Sequence, residues 1–111
     1  MIQSFDFQLV RGDTVTLELK IFNDAGQEYN LQGKVIHFTA RKTATDNNAL
    51  IYKQITNLTG NTALITLTSQ ETANIPQGTR EVVYDVRVQD GNELYTVLMG
   101  KIRVIEPITR L

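Results

Sequence analysis

Hydrophobic and polar residues alternate along much of this chain, which is the pattern of a β-strand with one buried and one exposed face. Residues 4–10, 13–22 and 34–42 each follow this pattern and are predicted strands. Turns are predicted between them at Arg11-Gly12-Asp13, around Gly26 and at Gly33. The predicted inward side chains of these three strands are Phe5, Phe7 and Leu9, then Val15, Leu17, Leu19 and Ile21, then Ile36, Phe38 and Ala40.

The second half of the chain continues the alternation. Residues 50–55, 62–68, 80–89, 93–99 and 101–106 are predicted strands, although the pattern of 50–55 does not assign its inward face. Asp90-Gly91 predicts a hairpin, and Gly100 predicts a bulge between the last two strands. One helical turn is predicted at 70–74, with Ser69 as its N-cap and Pro76 preventing its continuation.

Several apolar residues do not fit a simple division into buried and exposed faces. Residues 93–99 are apolar on both faces. On a regular strand, Leu94 and Leu98 would lie on one face and Tyr95, Val97 and Met99 on the other. Such residues either form a second layer of core beneath another sheet or contact another subunit. The candidate subunit interface consists of Phe22, Leu64, Tyr95, Val97 and Met99.

The spacing of strands and turns predicts the fold class. There are roughly seven to nine short strands, with turn residues at intervals of about ten positions and almost no helix. We therefore predict an all-β, two-layer antiparallel sandwich, immunoglobulin-like, with at most one short helical turn. Because 111 residues fall in the usual range for one domain and no linker or repeat is visible, residues 1–111 are predicted to form a single domain.

Composition and charge argue against several classes of partner. The net charge is −1, from 11 basic and 12 acidic residues scattered along the chain, so the concentrated basic face that nucleic-acid binding requires is missing. Apolar runs are far shorter than the ~20 residues that span a bilayer, and no membrane insertion is expected. The chain has no Cys and one His, which argues against metal sites and thiol chemistry, and no cofactor is expected.

The sequence offers no catalytic constellation. His37 shares the polar face of its predicted strand with Thr39 and Arg41, so we interpret it as a surface residue. Carboxylates occur mainly in turns or at outward strand positions, and no Gly-rich loop for a phosphate group is present. We predict that the protein is not an enzyme and has no small-molecule substrate.

The order of motifs along the chain resembles a known family of phage proteins. The matching features are the strand from Phe5 into Arg11-Gly12-Asp13-Thr14, the Gly26 hairpin, the strand around Phe38, the segment 61–67 followed by Glu71, Gly78 before Tyr84-Asp85-Val86, and Gly91 before Leu98-Met99-Gly100-Lys101-Ile102. With these features the chain resembles the N-terminal domain family of the bacteriophage baseplate upper protein.

This resemblance implies a structural role in the virion. It implies a β-sandwich that acts as a tail or baseplate adaptor or fibre-anchoring component, present in several copies and without catalytic residues. The expected partners are other phage virion proteins and copies of the chain itself, and the expected location is the virion, after synthesis in the host cytoplasm. Members of the family commonly continue into long distal regions, which residues 1–111 do not include.

Two other functions remain open from the sequence. A capsid decoration or head-fibre protein would show the same pattern of strands and apolar surface. A carbohydrate-binding module would use Tyr29, Tyr52 or Tyr95 to stack on sugar rings, although the chain has no Trp and only 7% aromatic residues.

Overall fold

The computed structural model describes residues 2–111, and its regular elements are β-strands apart from one short helix. The prediction of an all-β sandwich with one short helical turn is confirmed. The elements in chain order are β1 (Gln3–Ser4), β2 (Phe7–Val10), β3 (Val15–Lys20), β4 (Val35–Arg41), β5 (Ala49–Ile55), β6 (Thr62–Leu67), α1 (Ser69–Ala73), β7 (Glu81–Asp90) and β8 (Glu93–Ile105).

The strands form two sheets of unequal width. The large sheet has six strands in the order β1-β8-β7-β4-β5, with β2 following β1 along the same edge of β8. The small sheet contains only β3 and β6. The pairs β3–β6, β4–β5, β4–β7 and β7–β8 are antiparallel as predicted, but β1 and β2 run parallel to β8. Alternation predicts which face of a strand is buried and carries no information on the direction of its neighbour, so this pairing was not predicted.

The core lies between the two sheets and contains the inward side chains that alternation predicts. Ile36, Phe38 and Ala40 of β4 are fully buried, and Ala63, Ile65 and Leu67 of β6 face them from the small sheet. On β5 the register places Ile51 opposite Ala40, on the inward face, while Tyr52 points outward. The face of residues 50–55 that sequence left unassigned is thereby determined by pairing with β4.

The helix follows β6 directly and begins one residue earlier than predicted. Its N-cap is Thr68, whose hydroxyl accepts a hydrogen bond from the backbone N–H of Glu71, while the Glu71 carboxylate accepts from the backbone N–H of Thr68. Ser69 was therefore wrongly predicted as the cap, because this reciprocal capping box favours Thr68. Burial opposes ionisation of Glu71, but hydrogen bonds from Lys53 and Thr68 outweigh it and lower the pKa of that carboxyl.

Buried Thr72 joins this helix to the Arg11-Gly12-Asp13 turn. Its hydroxyl accepts a hydrogen bond from the Gly12 N–H at 3.0 Å and donates to the Asp13 carbonyl at 2.7 Å. Arg11 is held beside the same turn, with its Nε atom 2.7 Å from Glu106. The tripeptide thus serves as the turn that the sequence predicted, and it connects β2 of the large sheet to β3 of the small sheet.

Gly100 lies within a single long strand and does not form the predicted bulge. Strand β8 continues without interruption from Glu93 to Ile105, and its register shift occurs three residues earlier, at Val97. A Cβ atom on Gly100 would overlap the carbonyl oxygen of Phe5, which accepts a hydrogen bond from the Tyr84 hydroxyl at 2.6 Å. Glycine is required here because the backbone of Phe5, between β1 and β2, passes directly over it.

We expect Gly100→Ala to lower the free energy of unfolding by at least ~2 kcal/mol, since the added methyl group must displace backbone atoms of Phe5. Urea denaturation would measure the change. Met99→Ala is the matched control, because Met99 is the adjacent strand residue and is half-exposed. An unchanged unfolding midpoint for Gly100→Ala would show that the edge strand does not lie over β8 at this point.

The Tyr84 hydroxyl should make the fold sensitive to alkaline pH. Burial, together with the charge of Asp6, raises the pKa of Tyr84 from 10.0 to about 12. A raised pKa means that this stabilisation is complete below pH 10 and is lost as the pH rises towards 12, because the unfolded chain ionises first. At about pH 8 the wild type should be more stable than Tyr84→Phe by ~1 kcal/mol. In urea denaturation series, this advantage should shrink towards pH 11, and an advantage independent of pH would contradict the assignment.

Candidate interaction surface

The bulge in β8 changes which apolar side chains share a face. Val86 of β7 pairs with Leu98, but the next residue, Arg87, pairs with Thr96, so Val97 is the additional residue. Tyr95 pairs with the inward-facing Val88 and therefore lies on the same side as Leu98. The prediction that Leu94 and Leu98 share one face, opposite Tyr95, Val97 and Met99, is wrong because a bulge reverses the alternation on one side of it.

The structure brings three of the five candidate interface residues together. Phe22, Tyr95 and Val97 line a cleft at the end of the sandwich where β3 leaves the small sheet and β8 begins. We call this the end cleft; it comprises two adjoining hollows of about 580 and 290 Å³ that share Phe22 and Val97. Met99 lies instead on the outer face of the large sheet, and Leu64 on the outer face of the small sheet.

A tight hairpin holds Phe22 at the rim of the end cleft. Phe22 forms an isolated antiparallel bridge with Glu28. Between them, the Asn23 side-chain oxygen accepts hydrogen bonds from the backbone N–H groups of Ala25 and Gln27. Gly26 has a φ of 80°, which other residues rarely adopt. The Phe22 ring is therefore presented to solvent on a constrained turn, with 51% of its surface exposed.

Phe5 belongs to the same surface, although sequence reasoning did not include it. Phe5 is 52% exposed, lines the larger hollow and stacks on Phe7 at a centroid distance of 6.0 Å. Alternation places it on the inward face, and the structure agrees. It remains exposed because it lies between β1 and β2, along the edge of the large sheet. Predicting the exposure of Phe5 from the sequence would have required the order of strands in the sheet, and alternation does not give that order.

The smaller hollow combines aromatic rings with acidic side chains. Among the described residues that line it are Asp24 and Asp90, but neither lysine nor arginine. The Tyr95 hydroxyl donates a hydrogen bond to Glu93. Burial raises the pKa of Tyr29, and the charges of Asp90 and Glu93 raise it further. Asp90 is hydrogen-bonded to the Tyr29 side chain, and the ammonium group of Lys34 lies 5.1 Å from the centre of the Tyr29 ring. The acidic side chains of this hollow are thus engaged within the molecule.

His37 lies outside the end cleft, on the outer face of the large sheet, as predicted. Its Nε2 atom donates to the Gln89 side-chain oxygen at 2.8 Å, and its Nδ1 atom is 2.7 Å from the Tyr52 hydroxyl. The His37 and Tyr52 rings also stack, with centroids 5.9 Å apart. Both ring nitrogens have partners within the sheet, and this arrangement stabilises the pairing of β5, β4 and β7 at their outer face.

Within residues 2–111, no three His, Asp or Glu side chains approach closely enough to hold a metal ion. No helix in this part of the chain has the length and apolar character needed to cross a membrane.

Comparison with known proteins identifies a distant structural likeness. No family model and no curated protein matches the chain. A solved structure to which it is similar is that of an uncharacterized protein from Bacillus anthracis strain Ames, with 13% sequence identity and a TM-score of 0.42. The alignment covers 92% of this chain and 76% of the Bacillus protein.

The burial of Val97 and Tyr95 predicts different effects of mutating them. Val97 packs partly against the core, whereas Tyr95 is 45% exposed. We expect Val97→Asp to lower the free energy of unfolding by about 2 kcal/mol, because it places a carboxylate against apolar side chains. Tyr95→Ser should cost less than ~1 kcal/mol. Urea denaturation of both variants would measure this, and equal losses would mean that Tyr95 is part of the core.

Proposed function

We propose that the chain is a structural subunit of a bacteriophage virion, a tail or baseplate adaptor or fibre-anchoring component that acts through protein–protein contacts. The observation that supports a protein-binding role is the end cleft, where the half-exposed aromatic side chains of Phe5, Phe22 and Tyr95 lie together. The location in a phage particle is supported by the family resemblance of the sequence.

Energetics favour a large partner for this surface. Each square ångström of apolar surface removed from water is worth about 25 cal/mol, so covering three half-exposed aromatic side chains stabilises a complex appreciably. Aromatic residues are the side chains most often found to dominate binding energy at protein interfaces. The part of the lining formed by Leu19, Val97 and Leu98 belongs to strands of the two sheets and is already positioned before binding.

A carbohydrate-binding role fits the arrangement of tyrosines less well. Tyr29 and Tyr95 do line the same hollow, but Tyr52 lies on the outer face of the large sheet beside His37. The ammonium group of Lys34 sits 5.1 Å from the centre of the Tyr29 ring and covers one of its faces. The aromatic platform that would stack on a sugar ring is thus incomplete.

Mass spectrometry of purified particles tests the proposal directly. We expect the chain to be present in virions of the phage that encodes it, in several copies per particle, and immunogold labelling should place it at the tail. Labelling at the head would instead indicate a capsid decoration or head-fibre protein. Absence of the chain from intact virions would contradict a virion role altogether.

A pair of matched variants tests the role of the end cleft within that proposal. Phe22 and Leu64 are exposed to similar extents, 51% and 57%, but only Phe22 lines the cleft. We expect Phe22→Ser to reduce incorporation into particles strongly and Leu64→Ser to leave it unchanged. Thermal denaturation should confirm that both variants fold. Normal incorporation of Phe22→Ser would show that another surface makes the contact.

A further inference from the structure

The two strands of the small sheet differ in how well their inward side chains are covered. The inward side chains of β6 are fully buried. Those of β3, which are Val15, Leu17 and Leu19, pack against the same core but are only partly buried. The sandwich is therefore incompletely closed along β3, and apolar surface there is accessible to a neighbouring strand.

The backbone along the outer side of β3 is unpaired. The Ile21 N–H donates a hydrogen bond to the Asn61 carbonyl at 2.9 Å, in register with the pairing of β3 and β6. Because alternate residues of a strand point their N–H and C=O groups to opposite sides, Thr16, Glu18 and Lys20 direct theirs away from β6. No other strand within residues 2–111 pairs with β3. These groups can therefore form a ladder with an added strand.

Two charges of opposite sign flank Leu19 on this strand. Glu18 and Lys20 are exposed, and neither takes part in an ion pair with any residue of the described range 2–111. In an antiparallel pair of identical strands centred on Leu19, Glu18 of each copy lies directly opposite Lys20 of the other. Twofold symmetry makes both contacts attractive at once. Strand β3 is thus complementary in charge to its own copy.

The same register aligns the backbone groups and the apolar side chains. Glu18 and Lys20 both direct their backbone groups to the unpaired side, so each such pair exchanges two hydrogen bonds. The Leu19 side chains of the two copies meet at the axis, on the inward face. Leu19 also lines the larger hollow of the end cleft, where apolar surface is open. One register therefore provides ion pairs, a backbone ladder and apolar contact.

The other unpaired strand edges lack this complementarity. On β5, Lys53 pairs with the inward-facing Phe38 and bonds to Glu71 at 2.8 Å, and an inward charge on an edge strand opposes docking of another strand. Strand β1 has only two residues and is separated from β2 at Phe5. Strand β6 has no charged residue that could select a partner or a register. Only β3 carries charges that select its own copy among these edges.

We propose that β3 pairs antiparallel with β3 of a second copy about a twofold axis at Leu19, which joins the two small sheets into one continuous sheet. Glu18 of each copy then forms an ion pair with Lys20 of the other. The contact is isologous and closed, so it gives a dimer and no larger array. One strand pair is a small interface, and a dissociation constant in the micromolar range or weaker is expected. This dimer goes beyond the proposed virion role and does not depend on it.

Charge reversal tests the pairing of Glu18 with Lys20. Glu18→Lys and Lys20→Glu each place like charges opposite one another at both positions, so each should weaken the dimer about tenfold or more at low salt. The double variant Glu18→Lys/Lys20→Glu restores opposite charges and should dimerise like the wild type, as should an equimolar mixture of the two single variants. Sedimentation equilibrium would measure the dissociation constants.

A matched control is available on the large sheet. Glu81 is an exposed strand residue outside the proposed interface, and Glu81→Lys changes the net charge by the same amount as Glu18→Lys. We expect Glu81→Lys to leave the dissociation constant unchanged. Circular dichroism should verify that all variants fold, since each substituted side chain is exposed to solvent.

Amide hydrogen exchange reports the register directly. Exchange at the Glu18 and Lys20 amides should slow as the protein concentration rises, because their N–H groups bond only in the dimer. The Leu17 and Leu19 amides, which bond to β6, should be protected at all concentrations. In a mixture of isotope-labelled and unlabelled protein, an intermolecular NOE between the Hα protons of the two Leu19 residues should identify the axis.

Three results would overturn the proposal. They are a wild type that stays monomeric into the millimolar range, a double variant that dimerises no better than the single variants, and exchange at Glu18 and Lys20 that does not depend on concentration. Detection of the chain in virions without dimers in solution would reject this contact and leave the structural role intact. Dimers in solution without a virion location would reject the role and leave the contact intact.

Discussion

The inner face of the six-stranded sheet is covered by the two-stranded sheet together with Leu31, Leu58 and Ile75 of the connecting segments, and all of these form one core. Beneath that cover, Phe38, Val86 and Ile102 are completely shielded from water. Beyond it, Phe5 and Tyr95 point to the same side of the large sheet and yet remain half-exposed. The limited extent of this cover thus leaves the end cleft beside the core, and the residues on either side of the boundary obey the same alternation.

Strand β8 connects these two regions through two local departures from regular geometry. At Val97 the bulge turns Tyr95 inward towards the cleft, and at Gly100 the absence of a side chain admits the backbone of Phe5. The Tyr84 hydroxyl then bonds to the Phe5 carbonyl and ties the first residues of the chain to the sheet. The cleft is consequently lined from both ends of the sequence by residues that are held in place by backbone geometry.

Polar side chains on the outer faces of both sheets are bonded to one another. On the large sheet, His37, Tyr52 and Gln89 satisfy one another by hydrogen bonding. On the small sheet, Thr16 and Thr66 bond to each other across the strands. These polar groups are already paired within the sheets. The outer faces also carry exposed apolar side chains, Leu64 on the small sheet and Leu94 and Met99 on the large sheet, but these lie apart from the aromatic residues of the end cleft.

Period-2 alternation was sufficient to predict the all-β sandwich, most strand positions and most inward side chains, because burial of one strand face is a local property of sequence. It also selected Phe22, Tyr95 and Val97, since an apolar residue in an unexpected place is visible without coordinates. Only the tertiary structure decided that these three meet while Met99 and Leu64 lie elsewhere, that Phe5 joins them, and that β1 and β2 run parallel to β8. Those outcomes depend on strand order, on the bulge at Val97 and on the close approach at Gly100. Each of these is set by pairing between different segments of the chain, and such pairing leaves no periodic pattern in the sequence.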